Sequence, residues 1–143
     1  MTKKVFSERE IRVRYAETDK MGITYHANYF VWFEEARIHL LDDLGVKYTE
    51  LEADGYFLPV VECQARFFSP VLFDDVVRVV TTLEETVRAK FRIDYEVWVG
   101  ERKVTTGYTC HAFMDADGRV MRPPARFIEA LAGMARLPRG ASA

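Results

Sequence analysis

The chain has 143 residues, of which 49% are hydrophobic and 29% are charged, and these values are typical of one soluble globular domain. A domain of this size can bury a core without disulfide bonds or a structural metal. With 20 Lys and Arg residues against 22 Asp and Glu residues, the formal net charge is −2. This balance excludes the strongly basic surface of a general nucleic-acid binder.

The sequence also predicts where the protein works. No window holds the roughly 20 consecutive apolar residues that span a bilayer, and residues 1–8 lack the apolar stretch of a secretory signal. Cys63 and Cys110 each stand alone in a strand-like run, so we expect two small buried side chains rather than a disulfide or a metal site. We therefore expect a cytoplasmic protein with no membrane span and no metal or redox cofactor.

The first third of the chain changes from one periodicity to another. Alternation of polar and apolar residues predicts a strand over 5–15. The polar segment 17–22 ends in glycine and predicts a loop. From about His26 to Leu44, apolar residues recur every three or four positions, which predicts a long α-helix that is covered on more than one side. A short second helix is predicted over 47–54.

The remainder is predicted to be mostly strand. The four runs lie at 57–68, 76–85, 90–99 and 103–114. Pro59 indicates an edge position or an irregular start for the first run. A short helix follows Pro123 and Pro124 over 125–135, and we expect residues 136–143 to form a flexible tail. One strand, a long apolar helix and four strands in hairpin succession predict a single α+β domain with a largely antiparallel sheet around the helix.

The loop before the long helix is the one region left for chemistry, because the standard nucleophile and phosphate-binding motifs are absent from the sequence. It places Asp19 a few residues before a helix N-terminus, where free backbone N–H groups can hold an oxyanion that develops on a carbonyl. A carboxylate there can attack the carbonyl or activate a water. The residues alone also allow a structural interpretation, in which Asp19 caps a turn that Gly22 permits.

The segment Asp19 to Tyr29 has the form D-x-x-G-x-x-x-H-x-N-Y. Together with Arg14-Tyr15-Ala16-Glu17-Thr18 before it and Glu34-Glu35-Ala36-Arg37 after it, the segment resembles the signature of the hotdog-fold acyl-CoA thioesterases. The resemblance is to the branch of the 4-hydroxybenzoyl-CoA thioesterases, which includes the thioesterase of the Tol–Pal gene cluster. It implies a hotdog fold, in which an antiparallel sheet wraps one central helix. It also implies hydrolysis of an acyl- or aroyl-CoA thioester to free acid and CoA, with coenzyme A as part of the substrate.

The resemblance gives roles to individual residues. Asp19 is the catalytic carboxylate, as nucleophile or as general base, and the backbone N–H of His26 polarises the thioester carbonyl. Gly22 lets the loop pass close to the acyl group, and Tyr25 and Asn28 shape the site. It also indicates basic residues for the CoA phosphates, and the candidates are Arg88 and Lys90. An ordinary solvated basic face is an equal alternative for those two.

One sheet around one helix uses nearly the whole chain for its own core. A hotdog protein encloses its substrate by pairing sheets edge to edge between two subunits, so we expect at least a homodimer, with a homotetramer left open. Two alternative functions also stay open. One is a hotdog hydratase or dehydratase, which uses a His with a helix carboxylate. The other is a non-catalytic module that binds acyl thioesters. The identity of the acyl group is not predicted.

Overall fold

The computed structural model describes residues 2–137. In chain order its elements are β1 (Lys4–Arg12), a 3-10 turn (Tyr15–Glu17), α1 (Asn28–Asp43), α2 (Tyr48–Ala53), β2 (Val60–Phe67), β3 (Val76–Glu84), β4 (Lys90–Val99), β5 (Arg102–Ala112) and α3 (Ala125–Met134). All the predicted helices and strands are present, with their ends shifted by at most three residues. The α+β class is confirmed.

The five strands form one antiparallel sheet in the order β1-β3-β4-β5-β2. The predicted hairpin succession is correct for β3, β4 and β5 and wrong for β2, which pairs with β5 at the sheet edge. The reason is that β1 already occupies the free side of β3, where Phe6 lies opposite Thr82. The prediction from Pro59 is confirmed, since β2 is an edge strand with an irregular register between Val60 and Glu62.

Helix α1 packs against one face of this sheet. Its predicted apolar stripe is confirmed as buried at Tyr29, Phe33, Ala36, Leu40 and Leu44. The Phe33 ring stacks on Tyr95 of β4, with ring centroids 4.3 Å apart. Behind Phe33, Gly107 leaves no room for a side chain, because a Cβ atom there would lie 2.5 Å from the Gln64 carbonyl oxygen and 2.7 Å from a Phe33 ring carbon. Helix and sheet are therefore closely packed at Phe33.

Two expectations outside the core are corrected. Cys63 is exposed and Cys110 is half-buried, because no element of residues 2–137 covers the edge strand β2 and Cys110 alternates with the inward-facing Thr109. The tail begins later than predicted, since Arg136 exchanges two backbone hydrogen bonds with Lys4, at 2.7 and 2.8 Å. Residues 138–143 lie outside the described residues. Within residues 2–137, no helix is both long and apolar enough to cross a membrane.

Candidate functional site

A buried carboxylate holds the loop between β1 and α1 in place. The side chain of Glu17 is 4% exposed, and it accepts hydrogen bonds from the Arg14 backbone N–H and the Trp32 indole N–H, each at 2.8 Å. The Glu17 backbone carbonyl accepts two more, from the Tyr25 N–H and the Asn28 side-chain amide, also at 2.8 Å. Since these partners lie on both sides of the loop, Glu17 fixes both of its ends.

Asp19 occupies a tight turn inside that loop. The Gly22 N–H donates to the Asp19 carbonyl at 3.0 Å, and the Asp19 N–H donates to the Ile23 carbonyl at 2.9 Å. Gly22 has a φ of +79°, a conformation that residues with a Cβ atom rarely adopt. The Asp19 Oδ1 atom accepts from the Met21 N–H at 2.8 Å. No donor among residues 2–137 pairs with Oδ2, so Asp19 caps a turn and still presents a free carboxylate oxygen.

The beginning of α1 presents free backbone donors. The first hydrogen bonds at this end run from the Asn28 N–H to the Tyr25 carbonyl and from the Tyr29 N–H to the His26 carbonyl. Ala27 precedes the helix and supplies no side-chain cap. In the described part of the chain, no backbone acceptor takes the N–H of His26 or Ala27. Such N–H groups at a helix N-terminus favour an anion or a developing oxyanion.

Asp19 and His26 line the same open cleft, whose volume is about 550 Å³. Its other walls come from Thr24, Tyr29, Phe67 and Phe68 among others, so the cleft lies at the end of the edge strand β2. Burial raises the pKa of the Tyr29 phenol, which therefore stays protonated at neutral pH. A carboxylate, free N–H donors and an apolar wall are thus combined in one place.

The three other predicted residues of this loop support it rather than line the cleft. Gly22 permits the turn, while Tyr25 and Asn28 donate to Glu17 as described above. The Tyr25 ring is 49% exposed and packs against the imidazole of His26, with ring centroids 4.6 Å apart. Among residues 2–137, no three His, Cys, Asp or Glu side chains are grouped so that they could hold a metal ion.

Residues 13–132 match the family model of the thioesterase-like superfamily, which is most of the chain. This chain belongs to that superfamily. It is 40% identical to the Bacillus subtilis protein named "Putative acyl-CoA thioesterase YneP" over 108 residues, which cover 73% of this chain and 78% of that protein. Its structure matches that of a DHNA-CoA thioesterase from Staphylococcus aureus with a TM-score of 0.84 and 32% identity, covering 90% of this chain and 89% of the other.

The architecture is confirmed as the hotdog fold. A 4-hydroxybenzoyl-CoA thioesterase superposes with a TM-score of 0.79 over 88% of this chain and 98% of its own, at 23% identity. The resemblance inferred from the Asp19–Tyr29 segment is therefore confirmed, and the chain is a thioester hydrolase.

Arg88 and Lys90 do not line the Asp19 cleft of their own chain. Both are exposed and precede or begin β4, where Lys90 lies opposite Ala112 of β5. The cleft lies at the other end of β5, where Thr105 pairs with Phe67. Seven residues of extended strand separate the two ends, a distance of about 23 Å. Their expected role at the CoA phosphates therefore stays a prediction, since within one chain they lie at the opposite end of the sheet from Asp19.

Sequence reasoning missed the anchor of the thioesterase loop and one wall of its cleft. Glu17 reads as one more polar residue in a polar loop, and its position three residues after Arg14 was the available signal, because such spacing places a carboxylate over a backbone N–H. Phe67 and Phe68 give no comparable signal. They face the cleft only because β2 lies at the sheet edge beside β5.

Proposed function

We propose that this thioesterase hydrolyses an acyl- or aroyl-CoA thioester in the cleft at the beginning of α1, with Asp19 as the reacting carboxylate. One observation carries the proposal. Asp19 and His26 line the same cleft, and there Asp19 has a free Oδ2 atom and His26 has a free backbone N–H. The Bacillus and Staphylococcus relatives are both named as thioesterases of CoA esters, and these names support the substrate class.

The chemistry needs little more than these groups. As the thioester carbonyl carbon is attacked, negative charge develops on its oxygen, and the N–H of His26 stabilises it. In one route Oδ2 of Asp19 attacks, the C–S bond breaks to release CoA thiolate, and water then cleaves the acyl–aspartyl anhydride. In the other route Asp19 removes a proton from a water that attacks directly, and the same C–S bond breaks.

Oxygen-18 labelling tests for attack by Asp19. In a single turnover in labelled water, attack by Asp19 followed by cleavage of the anhydride at the aspartyl carbon puts the label into Asp19, and the product acid leaves unlabelled with one former Asp19 oxygen. Direct attack by water, or cleavage of the anhydride at the acyl carbon, labels the product acid alone. Mass spectrometry of the peptide that contains Asp19 and of the product acid after one turnover distinguishes these patterns.

A panel of acyl-CoAs tests the reaction class. We expect free CoA thiol to appear with at least one of short-chain, long-chain and aromatic CoA esters. A hydratase would instead change an enoyl ester without releasing thiol. The buried His111 is unsuited to that reaction, because both of its ring nitrogens are occupied, by Thr109 at 2.7 Å and by the Leu58 carbonyl at 3.2 Å. Binding without release by a folded protein would favour the non-catalytic module.

We also propose that two copies pair along β2. A long exposed strand edge with apolar side chains is a template for pairing with a second chain, and the exposed residues here are Val60, Val61, Phe67 and Phe68. In an antiparallel pair, the far end of the partner sheet lies next to the cleft. In such a dimer, Arg88 and Lys90 of one copy reach the phosphates of CoA bound in the cleft of the other copy.

A cytoplasmic location remains our proposal, in keeping with the free cysteines Cys63 and Cys110.

A further inference from the structure

A second cavity, of about 310 Å³, lies between the middle of α1 and the end of the sheet opposite the cleft. Its volume is at the lower end of the range of small-molecule sites. Much of its wall is apolar and includes Ile38, Leu41, Leu83, Phe91, Ile93 and Phe127. The polar side chains on its wall include Glu34, Arg37 and His111.

This cavity is separate from the cleft of Asp19 within one chain. Tyr29 lines the cleft and Arg37 lines the cavity, and eight residues of helix place them about 12 Å apart along α1. Phe33 lies between them, fully buried and stacked on Tyr95. Gly107, which pairs with Tyr95 across the sheet, also lies against Phe33, so this ring fills the space between helix and sheet.

Arg37 brings a poorly paired positive charge to the cavity. Its side chain is 16% exposed, and its hydrogen bond to the Tyr95 hydroxyl is long, at 3.4 Å. Its ion pair with Glu34 spans 3.8 Å, and the Glu34 side chain is 68% exposed. A guanidinium has five N–H donors, and burial without strong partners is costly. Arg37 therefore retains donors for an anion.

The neighbouring polar groups do not compete for that role. The Tyr95 hydroxyl, the Thr109 hydroxyl and His111 form a chain of hydrogen bonds at 2.7 Å each, and the chain ends on the Leu58 carbonyl at 3.2 Å. Burial, together with the charge of Arg37, lowers the pKa of His111 to about 4. His111 is therefore neutral at pH 7, and the positive charge at the cavity comes from Arg37.

We propose that this cavity binds a small monocarboxylate with an apolar body, whose carboxylate pairs with Arg37 in place of Glu34. The apolar body would take the space beside Leu41, Phe91 and Ile93. Planar guanidinium groups match carboxylates in a bidentate geometry, which favours this anion over a neutral polar group. The free acid released by thioester hydrolysis belongs to this chemical class. The site itself does not depend on the role of Asp19.

Octanoate is the probe, and isothermal titration calorimetry on the wild-type protein is the measurement. We expect octanoate to bind at least tenfold more tightly than octanamide, which has the same apolar body and no charge. Arg37→Met should weaken octanoate binding at least tenfold. Arg9→Met is the matched control, because Arg9 pairs with Glu35 on the same helix at 2.9 Å and does not line the cavity. Glu34→Gln should strengthen binding several-fold, since it removes the internal competitor.

These measurements distinguish a failure of this binding proposal from a failure of the proposed hydrolase function. Asp19→Asn should retain full octanoate affinity, and its loss would place the ligand in the catalytic cleft and overturn the proposal. Equal binding of octanoate and octanamide to the wild-type protein would overturn it without any variant, so a failure of Arg37→Met to fold does not prevent the test. Absence of octanoate binding at millimolar concentration would also overturn it, whether or not the protein releases CoA from thioesters.

Discussion

The buried pair of Glu17 and Trp32 gives the sharpest test of how the loop that carries Asp19 is held. Glu17→Gln keeps the shape of the side chain but replaces one acceptor oxygen with an NH₂ group. That group then faces the N–H of Trp32 or of Arg14, and one of these two donors loses its partner. Trp32→Phe removes the indole donor from the other side and leaves the Glu17 Oε2 atom without it.

The structure sets the size of the effect. Each 2.8 Å bond joins a buried carboxylate to an N–H group, and hydrogen bonds to charged groups contribute about 1.5–3 kcal/mol. We expect either single change to lower the free energy of unfolding by about 2–4 kcal/mol. In the double variant only the Arg14 N–H remains, and the single amide oxygen can accept from it, so the double variant should cost less than the sum of the two, by about 1.5–3 kcal/mol.

Urea unfolding of the four proteins at one fixed concentration measures this double-mutant cycle. Displacement of the Asp19 turn by 1 Å can cost up to about 100-fold in rate, so kcat/KM for thioester cleavage should fall in Glu17→Gln even where the variant is fully folded. Additive losses in the cycle, within about 0.5 kcal/mol, would refute the proposed bond. A folded Glu17→Gln variant with wild-type kcat/KM would refute its role in positioning Asp19.

Three further expectations follow. Gly107→Ala should destabilise the fold by about 1–3 kcal/mol in thermal or urea unfolding, because its Cβ atom meets Gln64 and Phe33, and a neutral effect would contradict the close packing there. The pKa of His111 is lowered from 6.5 to about 4, so the unfolded state binds the proton first and stability falls as pH drops from 6.5 to 4, by up to about 3 kcal/mol. His111→Gln should remove that part of the pH dependence, and identical stability profiles would contradict it. Val61→Lys should shift the protein to a monomer in sedimentation velocity while retaining its fold, whereas an unchanged dimer would exclude pairing along β2.

The sequence predicts the elements well because their periodicities are local. The stripe from Tyr29 to Leu44 identified α1, and the alternation over 90–99 identified β4. Strand neighbours are not local information. The pattern at 57–68 predicts a strand. It does not reveal that β1 pairs with the free side of β3, so that β2 pairs with β5 at the other edge of the sheet. For the same reason, the distance from Lys90 to the cleft depends on the register of β5, which no local pattern reveals.

The candidate site shows the same difference between local features, which the sequence predicts, and contacts between distant residues, which it does not. Asp19, Gly22 and His26 were found because their spacing follows the chain, and the structure places Asp19 and His26 on one cleft. Glu17 was missed as the anchor because its burial depends on Trp32, fifteen residues later, whose indole comes within reach only once α1 has formed and packed. Arg37 was noticed only as part of a motif, since the cavity beside it is built from elements far apart in the chain.

The most direct test of the hydrolase proposal is the rate of CoA thiol release by Asp19→Asn compared with Asp115→Asn. Asp115 is a matched control, because its Oδ1 atom also caps a turn, by accepting the backbone N–H of Asp117 and Arg119 at 2.9 Å, and it does not line the cleft. Loss of a catalytic acid or base costs roughly 10²–10⁴-fold. We expect a loss of that size in kcat/KM for Asp19→Asn and wild-type kcat/KM for Asp115→Asn. Wild-type kcat/KM in a folded Asp19→Asn protein would contradict the catalytic role of Asp19.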